Sequence, residues 1–245
     1  MFQKIISLSL TIYGIQIFSY LIEKKIGSKR GVLFSAFFQG MISSTALTLA
    51  NAQDSLKKNS HFFYHILLLS SLTGIFASLV ELLFIIGIHE SELLKRLSIL
   101  GPVFIILMIC MIYHRYHLKD FKSSESEEVL FPRPLEAIKL AFLLAGFIFI
   151  TSILKDQISP NGPLLVSFVG GLFETHGVAL AQVTLVDQGI ITMNEAYHHI
   201  MVSVMAGFIS KMSITLFVVR NKYSYTLAFT YILLSIVTLL LWTLF

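Results

Sequence analysis

The chain has 245 residues, of which 56% are hydrophobic and 13% charged, and its mean hydropathy is +0.80. A soluble domain carries about 25% charged residues, so composition excludes that class and points to an all-α polytopic membrane protein. The formal net charge of +4 suits basic loops at a bilayer surface and implies no nucleic acid partner, and the single cysteine, Cys110, excludes an internal disulfide or a zinc–cysteine site.

Eight hydrophobic segments follow in chain order: Ile5–Ile22, Gly31–Ala52, Phe62–Ile88, Leu97–Tyr113, Leu135–Leu154, Leu164–Val186, Tyr197–Val219 and Tyr225–Phe245. The first is too long for the apolar core of a signal peptide. Glu23-Lys24-Lys25 follows it, where a cleavage site would have small residues. No segment shows the alternation of a membrane β-barrel. Between the fourth and fifth, Arg115–Pro134 contains Ser123, Ser124 and Ser126 among glutamates, with two prolines. Such a stretch cannot bury apolar area and reads as a solvated linker. Residues 1–114 and 135–245 then form two halves of one membrane domain, joined by 115–134.

The second and sixth segments carry one pattern twice. GVLFSAFFQGMISSTALTLANAQ (Gly31 to Gln53) aligns with PLLVSFVGGLFETHGVALAQVTL (Pro163 to Leu185), pairing Gly40 with Gly171, Ser44 with Thr175, Ala50 with Ala181 and Asn51 with Gln182 at an offset of 131. Gly14 pairs with Gly146 at 132. Tyr64-His65 pairs with Tyr197-His198, Ser70 with Ser203 and Gly74 with Gly207 at 133. A nearly constant offset across four elements indicates tandem repeats of four segments each.

Two topologies remain open. If all eight segments cross, the halves are parallel and the basic loop residues divide nine against eight. If segments two and six dip in and return, each half has three crossings, the halves are inverted, and the division becomes thirteen against four. Lys24, Lys25, Lys29 and Arg30 share the richer side, and Lys211 is intramembrane either way. The second division fits the positive-inside rule. Gly40 and Gly170-Gly171 are the expected break points, because glycine tolerates the angles of a tight turn.

Polar groups at membrane depth are costly and usually functional. Gly40, Ser44, Thr48 and Asn51 would form one helical stripe, with Ser43 and Thr45 beside it; Gly171, Thr175 and Gln182 occupy the matching face. Packing accounts for the hydroxyls as well as a substrate path does; the amides need more partners. Glu174 and His176 are the sharpest pair, suited to cation coordination, proton coupling or acid–base work, or alternatively to a buried ion pair. Two residues apart, they converge only near a helix break. They are also the candidate metal ligands, since a hydrated magnesium ion needs only one or two carboxylates. Lys211 is expected to neutralise Glu174, bind an anion or snorkel. Glu81, His65 and His198 are weaker proton-relay candidates. His61, His114 and His117 read as solvated loop positions, and His199 as weaker than His198. No cofactor-binding motif is present: phosphate loop, metalloprotease histidine pair and Gly-x-Ser-x-Gly elbow are all absent.

GMISSTALTLANA (Gly40 to Ala52) resembles the first motif of the membrane domain of unknown function that follows MgtC/SapB domains in many bacterial proteins. GGLFETHGVALA (Gly170 to Ala181) resembles its second motif, with Glu174 where that family has Asp, His176 at its His or Asp, and Gly177 at its usual Ala. Lys211 resembles a later family lysine. The resemblance implies a bacterial inner-membrane protein with a link to magnesium or other ion homeostasis. The leading expectation is a small transporter or channel for an ion or small molecule, with its site at the repeat interface. An accessory subunit of an MgtC-type protein, or a homo-oligomer, is the second. An intramembrane enzyme is the third and the least favoured, because no complete nucleophile–base–orienter set appears.

Overall fold

The computed structural model describes residues 32–57, 61–118 and 162–244, with scattered positions in 10–25 and 142–150. Part of the first segment, most of the fifth, and linker residues 119–134 with Ser123, Ser124 and Ser126 lie outside the described residues. The described residues are helical, with no strand among them. They form α1 (Val32–Lys57), α2 (His61–His89), α3 (Ser91–Leu97), α4 (Gly101–Tyr116), α5 (Gly162–Phe173), α6 (Thr175–Asp187), α7 (Met193–Val218) and α8 (Lys222–Leu244).

Among the described residues, five stretches are, by length and composition, apolar enough to cross a membrane: Leu33–Leu56, Phe63–His89, Ser91–Tyr116, Met193–Val218 and Lys222–Leu244. The chain is a multi-pass membrane protein. Its outward surface carries Phe84, Ile109, Ile112, Phe217 and Phe229, all exposed, as a surface facing lipid requires. The interior is built from the inward faces of α2, α4, α6, α7 and α8, including Leu68, Leu72, Leu107, Leu180, Ile200 and Leu234.

Local chemistry sets the boundaries. A capping box opens α7: Thr192 Oγ1 accepts from Glu195 N at 3.2 Å, and Glu195 Oε2 accepts from Thr192 N at 2.6 Å. A 3₁₀ turn, Ser98–Leu100, joins α3 to α4, with Pro102 at the start of the latter. Gly189 takes φ +67° in the turn after α6, a conformation that favours glycine.

Two helices are interrupted at matched positions. Ser43 breaks α1 with φ −165° and ψ 98°. Glu174 separates α5 from α6 with φ −154° and ψ 99°. The two residues are 131 apart, the offset that relates the two sequence segments.

At each interruption the chain folds back. Gln182 Nε2 donates to Ser167 Oγ at 3.3 Å. An uninterrupted helix would hold residues fifteen apart at about 22 Å. In α1, Leu33 packs on the Ile66–Leu69 region and a Cβ on Gly40 would fall onto Gly74, whereas beyond the break Asn51 returns to Ser70 and Ser71. Each interrupted segment is thus a helical hairpin, laid on α2 in one case and on α7 in the other.

The breaks fall three residues beyond the glycines expected to make them. Both break residues have extended backbone that any residue adopts, so no glycine is required. Gly40 and Gly171 serve close approach instead: a Cβ on Gly171 would lie 2.6 Å from Ser203 Cα. A second difference concerns the linker, since α4 continues through Tyr116 and takes in Arg115.

Candidate functional site

The half-helix after each break begins with free N–H groups, and the break residue caps them. Ser43 Oγ accepts from Ala46 N at 3.2 Å. Glu174 Oε1 accepts from His176 N at 3.1 Å. Ser44 and Thr175, the residues immediately after the caps, line one small cavity together with Ser78, His176, Gly207 and Lys211. Its volume is about 20 Å³, room for about one water.

Beside the cavity stands a chain of three ionisable side chains. His176 Nδ1 lies 3.1 Å from Glu174 Oε1, and His176 Nε2 lies 3.1 Å from the Ser78 carbonyl and 3.7 Å from Glu81 Oε2. Ser78 and Glu81 belong to α2, so His176 ties the second hairpin to the crossing helix of the first half. The Ser78 oxygen can only accept, which requires a proton on Nε2. The Nδ1–Glu174 contact becomes a hydrogen bond only when Nδ1 or the Glu174 carboxyl carries a proton. Exposure falls along the chain: the Glu174 side chain is 38% exposed, His176 16% and Glu81 2%. Glu81 Oε1 is buried with no hydrogen-bond partner among the described residues.

The other expected site residues divide into groups. Asn51 Nδ2 donates to Ser70 Oγ at 3.1 Å and Ser71 Oγ at 2.9 Å, and Ser71 Oγ meets the Tyr223 hydroxyl at 2.8 Å. Gln182 Oε1 accepts from His199 Nδ1 at 2.8 Å, while its amide nitrogen holds Ser167. These amides fasten their own hairpins, and neither lines the central cavity. Thr48 Oγ1 donates to the Ser44 carbonyl and contacts the Tyr231 hydroxyl at 3.3 Å. Thr45 is half-buried next to Ser44. Lys211 Nζ reaches only the Gly207 carbonyl, at 3.5 Å, among the described residues. Thr175 Oγ1 lies 3.5 Å from the carbonyls of Gly171 and Ser203.

The weaker relay candidates stand apart from this centre, Glu81 excepted. His65 Nδ1 is 2.8 Å from His114 Nδ1, and its ring stacks on His117 at 4.5 Å. His114 is 5% exposed, not solvated as its position near the linker suggests. It falls on the face of α4 that also buries Val103 and Leu107, a helical spacing visible in the sequence. His198 packs edge-on against Trp242, and its Nδ1 is buried without a partner among the described residues. His199, ranked below it, is the one that holds Gln182. Among the described residues no group of three or more His, Cys, Asp or Glu is arranged to hold a metal ion. Glu174 and Glu81 approach opposite nitrogens of His176, so their carboxylates do not converge on one point with it.

The family model described as a domain of unknown function, DUF4010, matches residues 10–219. The chain belongs to this family. An uncharacterised protein of Aquifex aeolicus (strain VF5) is 27% identical over 186 residues, covering 74% of this chain and 79% of that protein. No solved structure matches the chain. The match to DUF4010 takes in both hairpins, α2 and all of α7, and therefore every residue around the cavity. It carries no MgtC/SapB assignment.

Proposed function

We propose that this DUF4010 protein is a small secondary transporter or channel of a bacterial inner membrane, built as an inverted repeat whose two re-entrant hairpins meet near the middle of the bilayer. One observation carries this reading: Ser44 and Thr175, matched across the offset of 131, line one cavity with Lys211 and His176. Non-helical backbone at membrane depth is tolerated where protein or a wet cavity satisfies it, and broken helices mark the binding sites of many transporters. The fold-back of both hairpins and the thirteen-to-four division of basic loop residues support the inverted arrangement.

The path contains Ser43, Ser44, Thr45 and Thr175 as neutral ligands, with Glu174, His176 and Lys211 supplying charge. Gly40, Gly171, Asn51 and Gln182 hold the hairpins in position. A 20 Å³ cavity suits a small ion in an occluded state, and magnesium and protons are the first ions to test.

Purified protein in liposomes, assayed for uptake of a panel of small ions under an imposed potential, tests the activity. Flux in the wild type that falls about tenfold in Glu174→Gln supports the reading; no flux above empty liposomes for any ion sinks it. Topology is tested separately on a Cys110→Ser background. Ser28→Cys and Ser60→Cys label from one face of the membrane, and Ser159→Cys and Gln188→Cys from the other. Labelling of Ser28→Cys and Ser60→Cys from opposite faces would restore the eight-crossing arrangement.

A further inference from the structure

We propose that Glu174, His176 and Glu81 form a proton relay from an accessible carboxyl at the second hairpin to a buried carboxyl on α2, making the proton the coupling ion. The coupling rests on the transport reading above; the relay itself rests on the geometry of the three side chains.

The arrangement has a direction. Glu174 is the exposed end, His176 presents a different ring nitrogen to each side, and Glu81 is the closed end at 2% exposure. A structural ion pair would satisfy both oxygens of a buried carboxylate. Glu81 instead has Oε2 at 3.7 Å from Nε2, beyond hydrogen-bond range, and Oε1 with no partner among the described residues. A carboxyl held this way has an oxygen that no other donor among the described residues occupies, as a proton acceptor needs. The ionisable groups facing His176 are Glu174 at its own break, Glu81 from α2 and Lys211 from α7; α1 contributes only the hydroxyl of Ser44 to the shared cavity.

The step balances. A proton from water binds Glu174. The Glu174 O–H bond breaks as the Nδ1–H bond of His176 forms, and the Nε2–H bond breaks as the O–H bond of Glu81 forms. The ring is left neutral with its proton on Nδ1; it resets by acid–base exchange, Nδ1–H giving its proton back through Glu174 to solvent while Nε2 takes one from water. One proton has moved from solvent to Glu81, and nothing is oxidised or reduced. The last transfer requires Nε2 and Glu81 Oε2 to close from 3.7 Å to hydrogen-bond distance, which couples proton arrival to a small movement between hairpin and α2.

Time-resolved infrared spectroscopy on the full chain in lipid nanodiscs tests the relay. A jump from about pH 8 to about pH 4 should raise a carboxylic-acid C=O band that Glu81→Gln removes and Glu81→Asp restores in shifted form. His176→Gln and Glu174→Gln should slow its appearance about tenfold or more. Glu174→Gln keeps an acceptor for the cap, and its size-exclusion profile and melting temperature check the fold. A band that Glu81→Gln leaves unchanged, or that rises at one rate in all three proteins, overturns the relay. In liposomes with a trapped pH dye, proton movement in the wild type that Glu81→Gln abolishes ties the relay to transport. A relay intact by infrared in a protein that moves no protons across the bilayer rejects the coupling and, with ion uptake also absent, the transport reading.

Discussion

Ser43 and Glu174 occupy the same backbone geometry, cap the half-helices that follow them, and immediately precede Ser44 and Thr175, which line one cavity. Their neighbours differ. Thr45 in the first hairpin matches His176 in the second, and Ser78 on α2 matches Lys211 on α7 at the offset of 133. The backbone device is present twice, whereas the charged side chains at the breaks are present once. Breaking and capping a helix needs only one short acceptor; holding ionisable groups at membrane depth needs partners for each. The charged set is therefore concentrated in one hairpin, and its remaining partner, Glu81, is borrowed from the other half.

The largest expected effect tests what the hairpins share. Gly40→Ala or Gly171→Ala drives a methyl group into backbone of α2 or α7 and should cost about 3 kcal/mol or more, read as a fall in unfolding midpoint in detergent. Gly101→Ala, with open space at its Cβ, should stay within about 1 kcal/mol. Next come the amide fasteners. Asn51→Ala and Gln182→Ala each strand buried partners and should each cost about 2 kcal/mol. A large loss in one hairpin and none in the other would break the symmetry drawn here.

The third prediction separates the hairpins. Glu174→Gln should preserve stability and cut flux about tenfold, measured on one preparation by melting and by liposome uptake. The smallest effect is for Ser43→Ala, which loses only a cap. It should cost about 1 kcal/mol and leave flux within about twofold. If Ser43→Ala abolishes flux as Glu174→Gln does, charge is not what distinguishes the two breaks.

Much of this was legible in the sequence. Mean hydropathy and segment length reveal a helical membrane protein, and the offset of 131 pairs the two residues that break their helices. Glu174 and His176, expected to converge only at a break, do so. The place of the break was not legible. Glycine advertises a turn, but the turns here are extended residues whose signal is an N-cap, a weaker mark than glycine. The partner of His176 was also hidden, because Glu81 lies 95 positions earlier and only the packing of α2 against the second hairpin brings it near. Asn51 and Gln182 were visible as costly groups, but their role depends on Ser70, Ser71, Ser167 and His199, ordinary polar residues until the chain folds back.

The glycine contacts and amide bonds leave each hairpin no room to slide on its own crossing helix. Under the proposed transport function, hairpin and helix would move as one arm. The junction that can shear is the one between arms, where a single imidazole grips a main-chain oxygen of the opposite half. Opening that grip would break the Ser78 hydrogen bond and part His176 from Glu81 but repack no glycine, so under the transport reading proposed above the seam at Ser78 is where the cycle would hinge.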